Sequence, residues 1–340
     1  MHMADALLSP AVGGVMWAAA AGALGYSAKK AKTDLSDQKV PLMGVLGAFI
    51  FAVQMITFAI PGTGSSGHLG GGMILAVLLG PYMALLTLSS VLMVQALIFS
   101  DGGLLALGCN IINLGFFPCF IAYPLIYLKI AGRRPSRYRI LLGSILAAAI
   151  GLQLGSLGVV IETVGSGIAE LPFVAFAVLM QPIHLAIGLI EGVVTAVVIV
   201  FVWRARPEIL GEPPSGHLPE DLPIKNVLIG FLAATVLIGG ILIWFASTHP
   251  DGLEWAIDRV TGSETIQAPQ AAIHNLVARI QEKTSLLPDY DYAPAGSPDT
   301  GKKEASETHM PGNSLSGLVG GALTLIIVVL IGVVLKKRAG

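Results

Sequence analysis

The chain reads as an all-α integral membrane protein, and three observations predict it. Of its 340 residues, 54% are hydrophobic and only 12% charged, with a mean hydropathy of +0.78. Apolar stretches long enough to cross lipid, which takes about 20 residues per helix, recur along most of the sequence. The basic residues are confined to a few short connections between those stretches. A formal net charge of −1 and the lack of a basic stripe interleaved with aromatics give no reason to expect nucleic acid as a partner.

Candidate spans fall near 10–28, 41–60, 69–80, 82–100, 105–129, 138–161, 173–203, 226–246 and 314–335, the third too short to cross alone. The first span has no basic region ahead of it and carries Asp5 there, so it is expected to stay attached rather than be cleaved as a signal peptide. It also holds small residues four apart, Ala18 with Gly22 and Ala21 with Gly25, which let another helix approach closely, from within the chain or from a partner membrane protein. Before the short third span lies the run Gly62-Thr63-Gly64-Ser65-Ser66-Gly67-His68-Leu69-Gly70-Gly71-Gly72. It predicts irregular backbone dipping into the bilayer, tolerated only where protein or a cavity covers it. Cys109 and Cys119 lack metal-type spacing and are expected to be buried small apolar residues.

The basic groups are Lys29, Lys30, Lys32 and Lys39; Lys129, Arg133, Arg134, Arg137 and Arg139; Arg204, Arg206 and Lys225; and Lys336, Lys337 and Arg338. Threading nine spans puts all four groups on one side, which the positive-inside rule makes cytoplasmic. The amino terminus, His68 and the long segment 247–313 are then expected outside, in a bacterial or archaeal cytoplasmic (inner) membrane.

Met1 and His2 form the sharpest chemical signal. An α-amine, the amide nitrogen of His2 and its imidazole close a five- and a six-membered ring around one ion. Such a set suits d8 Ni(II), tetragonal Cu(II) or Co(II) better than tetrahedral Zn(II). His68, on glycine-flanked backbone that allows close approach, is the candidate fourth ligand. Gln54, Gln95, Asp101, Asn110 and Asn113 are candidates to orient these ligands, with Gln153 and Gln181 in the same polar set. His184 and Glu191, seven apart on one helical face, are intramembrane ionisable groups, read here as a hydrogen-bonded brace between helices.

No G-x-x-x-x-G-K-[ST] occurs, so the chain is no P-loop ATPase, and uphill transport would draw its energy from another subunit or an ion gradient. Two other readings rest on residues. Gly64-Ser65-Ser66-Gly67 matches the G-x-S-G pattern of rhomboid intramembrane proteases, with His184 as the base. Alternatively, His184 and Glu191 serve a stand-alone secondary metal transporter as a proton relay.

The opening MHMADALLSPAVGG, the GTGSSGHLGGG loop followed by ILAVLLGP, the VQALIFSDGGLLALGCNIINLGF run and the HLAIGLIEG run resemble the CbiM/NikM family over roughly residues 1 to 205. These are the substrate-binding membrane components of energy-coupling factor (ECF) transporters for cobalt and nickel. The resemblance implies a seven-helix ECF S-component-like bundle in 1–205, with Ni(II) or Co(II) as cargo held by Met1, His2 and His68. It also implies a transmembrane coupling subunit and two cytoplasmic ATPases as partners. After a proline-rich cytoplasmic linker, 206–225, the segment 226–340 forms a two-helix accessory module with the outer domain 247–313. Its Pro250-Asp251-Gly252-Leu253-Glu254 is similar to the PDGLE signature of the accessory subunit NikN or CbiN, which leans the reading toward nickel. Read from the residues alone, Asp251 and Glu254 form a capping box that starts an amphipathic helix. His249, His274 and His309 are weaker candidates for collecting metal.

Overall fold

The computed structural model describes residues 2–132, 135–210, 223–263, 266, 269, 271–290 and 310–337. Met1, Arg133, Arg134, Lys302, Lys303, His309 and Arg338 lie outside them. The architecture is almost entirely helical. Helix α1 spans Pro10–Asp34, α2 Lys39–Met55, α3 Gly72–Leu79, α4 Pro81–Ile98, α5 Leu107–Ile130, α6 Arg137–Ser166 and α7 Phe173–Ala205. The carboxyl-terminal part adds α8 Ile224–Gly240, α9 Gly252–Thr261, α10 Ala272–Thr284 and α11 Met310–Lys337.

Six helices among the described residues are long and apolar enough to cross a membrane: α1, α4, α5, α6, α7 and the Gly312–Lys337 part of α11. Helices α2 and α8 have 17 residues each and so reach only about 25 Å. The second expected span, 41–60, overran. The helix stops at Met55, and Phe58–Ile60 becomes strand β1, paired antiparallel with β2, Ser65–Gly67. A short apolar run such as 56–60 satisfies either structure, and hydrophobic periodicity does not choose between them. Gly62 and Gly64, both at positive φ, turn the hairpin that was expected to be irregular. Most of α5, Ile112–Tyr127, is wound as π-helix. Pro118 and Pro124 each lack the N–H that an α-turn requires, and a wider turn accommodates the missing bonds.

Burial explains the layering. Every residue of α3 is buried, as is nearly all of α2, so these two apolar helices form the centre with α4. The accessory helices α8 and α11 pack on α2. A Cβ on Gly44 would lie 2.5 Å from Val329 of α11, and α8 and α11 meet each other backbone to backbone, where a Cβ on Gly317 would lie 2.3 Å from the carbonyl oxygen of Gly239. Helix α1 is peripheral, and Ala18, Ala21, Gly22 and Gly25 are all exposed. None of the described residues covers that strip.

The four basic groups meet at one end of the molecule. Lys336 pairs with Asp37, and Lys39, Leu78, Arg206 and Ile224 line one small cavity, while Arg137 and Arg204 share a groove. The opposite end carries residues 2–8, the β-hairpin and α9. Cys109 and Cys119 are buried free thiols.

Close approach of α1 to α5 depends on Gly108, where a Cβ would lie 2.6 Å from the backbone nitrogen of Trp17. Gly108→Ala is expected to destabilise the protein by about 1–3 kcal/mol, seen as a lower apparent Tm in detergent. Gly14→Ala, with nothing within 4 Å, should leave Tm unchanged or raise it, because alanine favours helix.

Candidate metal site

The first residues are held as a strap across the mouth of the bundle. Met3 N–H donates to Asn110 Oδ1 at 2.8 Å, and its carbonyl accepts from Asn110 Nδ2 at 3.3 Å and from Gly103 N–H at 2.9 Å. One side-chain amide thus pairs with both the N–H and the carbonyl of one residue, which belong to successive peptide units. Asp5 accepts from Ala106 N–H at 2.9 Å, and Gly103 leaves room for it: a Cβ there would lie 1.8 Å from the carboxylate. Met3, Leu7 and Leu8 are buried beneath. Asn113 serves the same region from the side, donating to Glu162 at 2.7 Å with its amide 3.9 Å from Met3 Sδ.

The strap delivers His2 to His68. Their rings stack at 5.0 Å between centroids with planes 12° apart, although the two residues come from different elements. The His2 side chain is only 8% exposed and His68 is buried. His68 Nδ1 lies 3.2 Å from the Leu69 carbonyl, which favours the proton on Nδ1 and the lone pair on Nε2. His2 Nδ1 lies 3.3 Å from Asp101 Oδ1, and its buried Nε2 has no hydrogen-bond partner. Burial holds the His2 imidazole below its ordinary 6.5, with Asp101 opposing the shift. His68 is held well below that value, again first by burial, while Asp251 opposes it. Both rings are therefore neutral at pH 7, the form that binds a metal ion.

The loop that carries His68 is fixed from below. Glu191 on α7 accepts from Gly70 N–H at 2.8 Å through one oxygen and from Gly71 N–H at 3.0 Å through the other. Gly71 sits at φ +75°, so a side chain there would be strained. Gln54 Nε2 donates to the Gly70 carbonyl at 2.7 Å, and Gln95 Nε2 donates to Gln54 Oε1 at 2.8 Å. Gln95 also lies beside His2, so these two amides stand between His2 and the loop that carries His68.

Sequence reasoning placed Glu191 and His184 as a brace between helices. Glu191 instead braces the glycine loop, and His184 Nδ1 meets the Met180 carbonyl of its own helix at 2.7 Å. The Ser66 hydroxyl donates to the His249 carbonyl at 2.8 Å, and no Ser66–His184 dyad forms. Gln153 and Gln181 lie apart from the histidines, Gln153 donating to the Gln181 carbonyl and Gln181 to Ser156.

The carboxyl-terminal module forms the outer wall. Asp251 caps α9, accepting from Leu253 N–H at 2.7 Å and Glu254 N–H at 2.9 Å, and Glu254 completes the expected capping box. The same turn adds to the hairpin: Ser66 pairs with Asp251 in a parallel bridge, and Ser66 N–H donates to the Pro250 carbonyl at 2.8 Å. Sequence gave no sign of this contact, nor of Tyr290, whose hydroxyl donates to Asp101 while its ring stacks on Phe99 at 4.8 Å. His274 is buried against the Leu8 carbonyl at 2.9 Å, and His249 contributes its backbone to Ser66. Among the described residues, no three His, Cys, Asp or Glu side chains converge as a metal site. The His2 and His68 pair would need backbone donors to complete a coordination sphere.

The chain matches the model of the cobalt uptake substrate-specific transmembrane region, CbiM, over residues 2–209, and that of the PDGLE domain over residues 225–337. It is 31% identical over 317 residues to the fused nickel transport protein NikMN of Rhodobacter capsulatus, covering 87% of this chain and 89% of that one. Over 217 residues it is 29% identical to the cobalt transport protein CbiM of Sorangium cellulosum, covering 62% of this chain and 94% of that one. The crystal structure of a truncated transition metal transporter is similar at a TM-score of 0.53 and 31% identity, covering 59% of this chain and 98% of that one. Fold and site thus define a polytopic helical membrane protein related to metal transport proteins. The chain belongs to the CbiM family, and a PDGLE domain forms its carboxyl-terminal part.

Loss of the Glu191 carboxylate strands one of two buried N–H groups, a cost of about 1–3 kcal/mol. Glu191→Gln is expected to speed amide exchange at Gly70 and Gly71, measured by mass spectrometry, while exchange within α6 stays unchanged.

Proposed function

We propose that the chain is the substrate-specific membrane component of an ATP-driven ECF-type importer that binds Ni(II), or alternatively Co(II), on the outer side and delivers it to the cytoplasm. The observation that carries this reading is the stacked His2 and His68 pair, buried and neutral, beneath the strap and beside Asp251. With the α-amine of Met1 and the amide nitrogen of His2, the two imidazoles make a four-nitrogen set suited to square-planar Ni(II). Asp101 holds the His2 ring beside His68 before loading.

The bundle 1–205 acts as a seven-helix carrier, with α3 buried rather than spanning. The amino terminus and the domain 247–313 lie outside and the carboxyl terminus in the cytoplasm, in agreement with the gathering of Lys39, Arg137, Arg204, Arg206 and Lys336 at the other end. The exposed small-residue strip of α1, at Ala18, Ala21, Gly22 and Gly25, is the contact for a transmembrane coupling subunit, itself driven by separate cytoplasmic ATPases. Nickel is favoured over cobalt on the ligand geometry and on the fused accessory segment. The ion is captured outside, occluded, and released inside as the whole module moves against its coupling subunit.

His2→Ala and His68→Ala are each expected to abolish co-purification of nickel without unfolding the bundle, read by metal analysis and thermal melting. Retained stoichiometric nickel in either variant would refute the assignment. Uptake into vesicles that lack any ATPase would point to a stand-alone carrier instead.

A pH series supplies a second test. Above pH 6.5 both imidazoles are neutral, because burial has moved them below that value, so proton competition there falls on the α-amine and on the His2 amide, which must lose its proton to bind the ion. Affinity for nickel should fall by about tenfold or more for each pH unit below 8, and more steeply again once the imidazoles protonate below 6.5, measured by competition with a chelator of known affinity.

A further inference from the structure

At the basic end of the molecule, α6 and α7 leave between them a groove of about 570 Å³. Its walls are Leu141 from α6 and Val197, Val200 and Phe201 from α7, and its rim carries Arg137 and Arg204. Leu141, Val197 and Phe201 are 41%, 65% and 52% exposed, so the described residues leave the apolar wall open. The carboxylate nearest Arg204 in sequence, Glu208, is bound by Arg206, and no ion pair joins Arg137 or Arg204 to a carboxylate among the described residues.

A second groove at the same end makes the contrast. Between α2 and α11, Val40, Val329 and Val333 line a space of about 480 Å³, but Lys336 on its rim is already paired with Asp37. Of the two, the α6–α7 groove alone combines an open apolar wall with two guanidinium groups that have no acidic partner among the described residues. Tyr138 and Trp203, beside the two arginines in sequence, are of the types that settle at the level of lipid headgroups.

We propose that the α6–α7 groove is a binding site for one anionic phospholipid, its phosphate gripped by Arg137 and Arg204 and an acyl chain lying along Leu141, Val197, Val200 and Phe201. Guanidinium groups match phosphate oxygens in a fork geometry, and basic pockets between membrane helices recognise anionic headgroups in this way. A zwitterionic lipid offers the same chain but brings its own cation, which two arginines repel. Inorganic phosphate offers the charge but nothing for the apolar wall.

The test uses the full chain, purified in detergent, exposed to mixed micelles containing phosphatidylglycerol or phosphatidylcholine, and weighed by native mass spectrometry. The expected result is one retained phosphatidylglycerol, no retained phosphatidylcholine, and no displacement by excess inorganic phosphate. Arg137→Gln with Arg204→Gln should lower retention by about tenfold or more. Val197→Trp, which fills the groove and keeps both arginines, should lower it as well. Melting temperature and nickel content monitor folding and are expected to stay at the parent's values. Equal retention in the double-arginine variant, equal binding of phosphatidylcholine, or displacement by phosphate would each overturn the proposal. So would cross-linking of Phe201 to a co-purified membrane protein in place of lipid.

Discussion

The mouth of this protein depends on a carboxylate with both oxygens occupied by consecutive backbone N–H groups. Glu191 holds Gly70 and Gly71, and without it these donors would sit in a region where neither helix nor sheet satisfies them. Buried backbone polar groups require partners, and in a membrane protein water is a poor substitute. The non-helical backbone around His68 is therefore possible because α7 supplies the acceptor that a regular element would otherwise provide. Gln54 and Gln95 extend the same logic on the carbonyl side.

The strap depends on a comparable arrangement. Asn110 meets the N–H and the carbonyl of Met3 together, as a neighbouring strand would, and so fixes the residue next to His2 from both sides. The two histidines reach one place because two loops, each bound by side-chain amides or a carboxylate, are anchored to the surrounding helices.

Much of this architecture was legible in the sequence, because apolar length and charge-free runs report directly on helices in lipid. The expected boundaries of α1, α4, α6 and α7 differ from the observed ones by a few residues at most ends. The hairpin at 58–67 was not legible, since Phe58–Ile60 is as apolar as the helix before it. Of the candidates chosen to orient the ligands, Gln54, Gln95, Asp101 and Asn110 lie in the hydrogen-bond network around the histidines, and Asn113 flanks Met3. The second role of Asp251, beside Ser66, could not be read: a capping residue already has a sufficient local reason to be there, and a contact 185 residues away leaves no trace in spacing.

Fusion of the PDGLE part to the rest has a mechanical consequence. Its helices α8 and α11 share an interface with α2, and its outer turn pairs with β2, so a single polypeptide spans the face of the bundle and its mouth. A separate subunit would leave that pairing at a rate set by its own affinity and by dilution. A tethered one is present at an effective concentration on the millimolar scale, so the outer wall keeps its partner without a search through the bilayer.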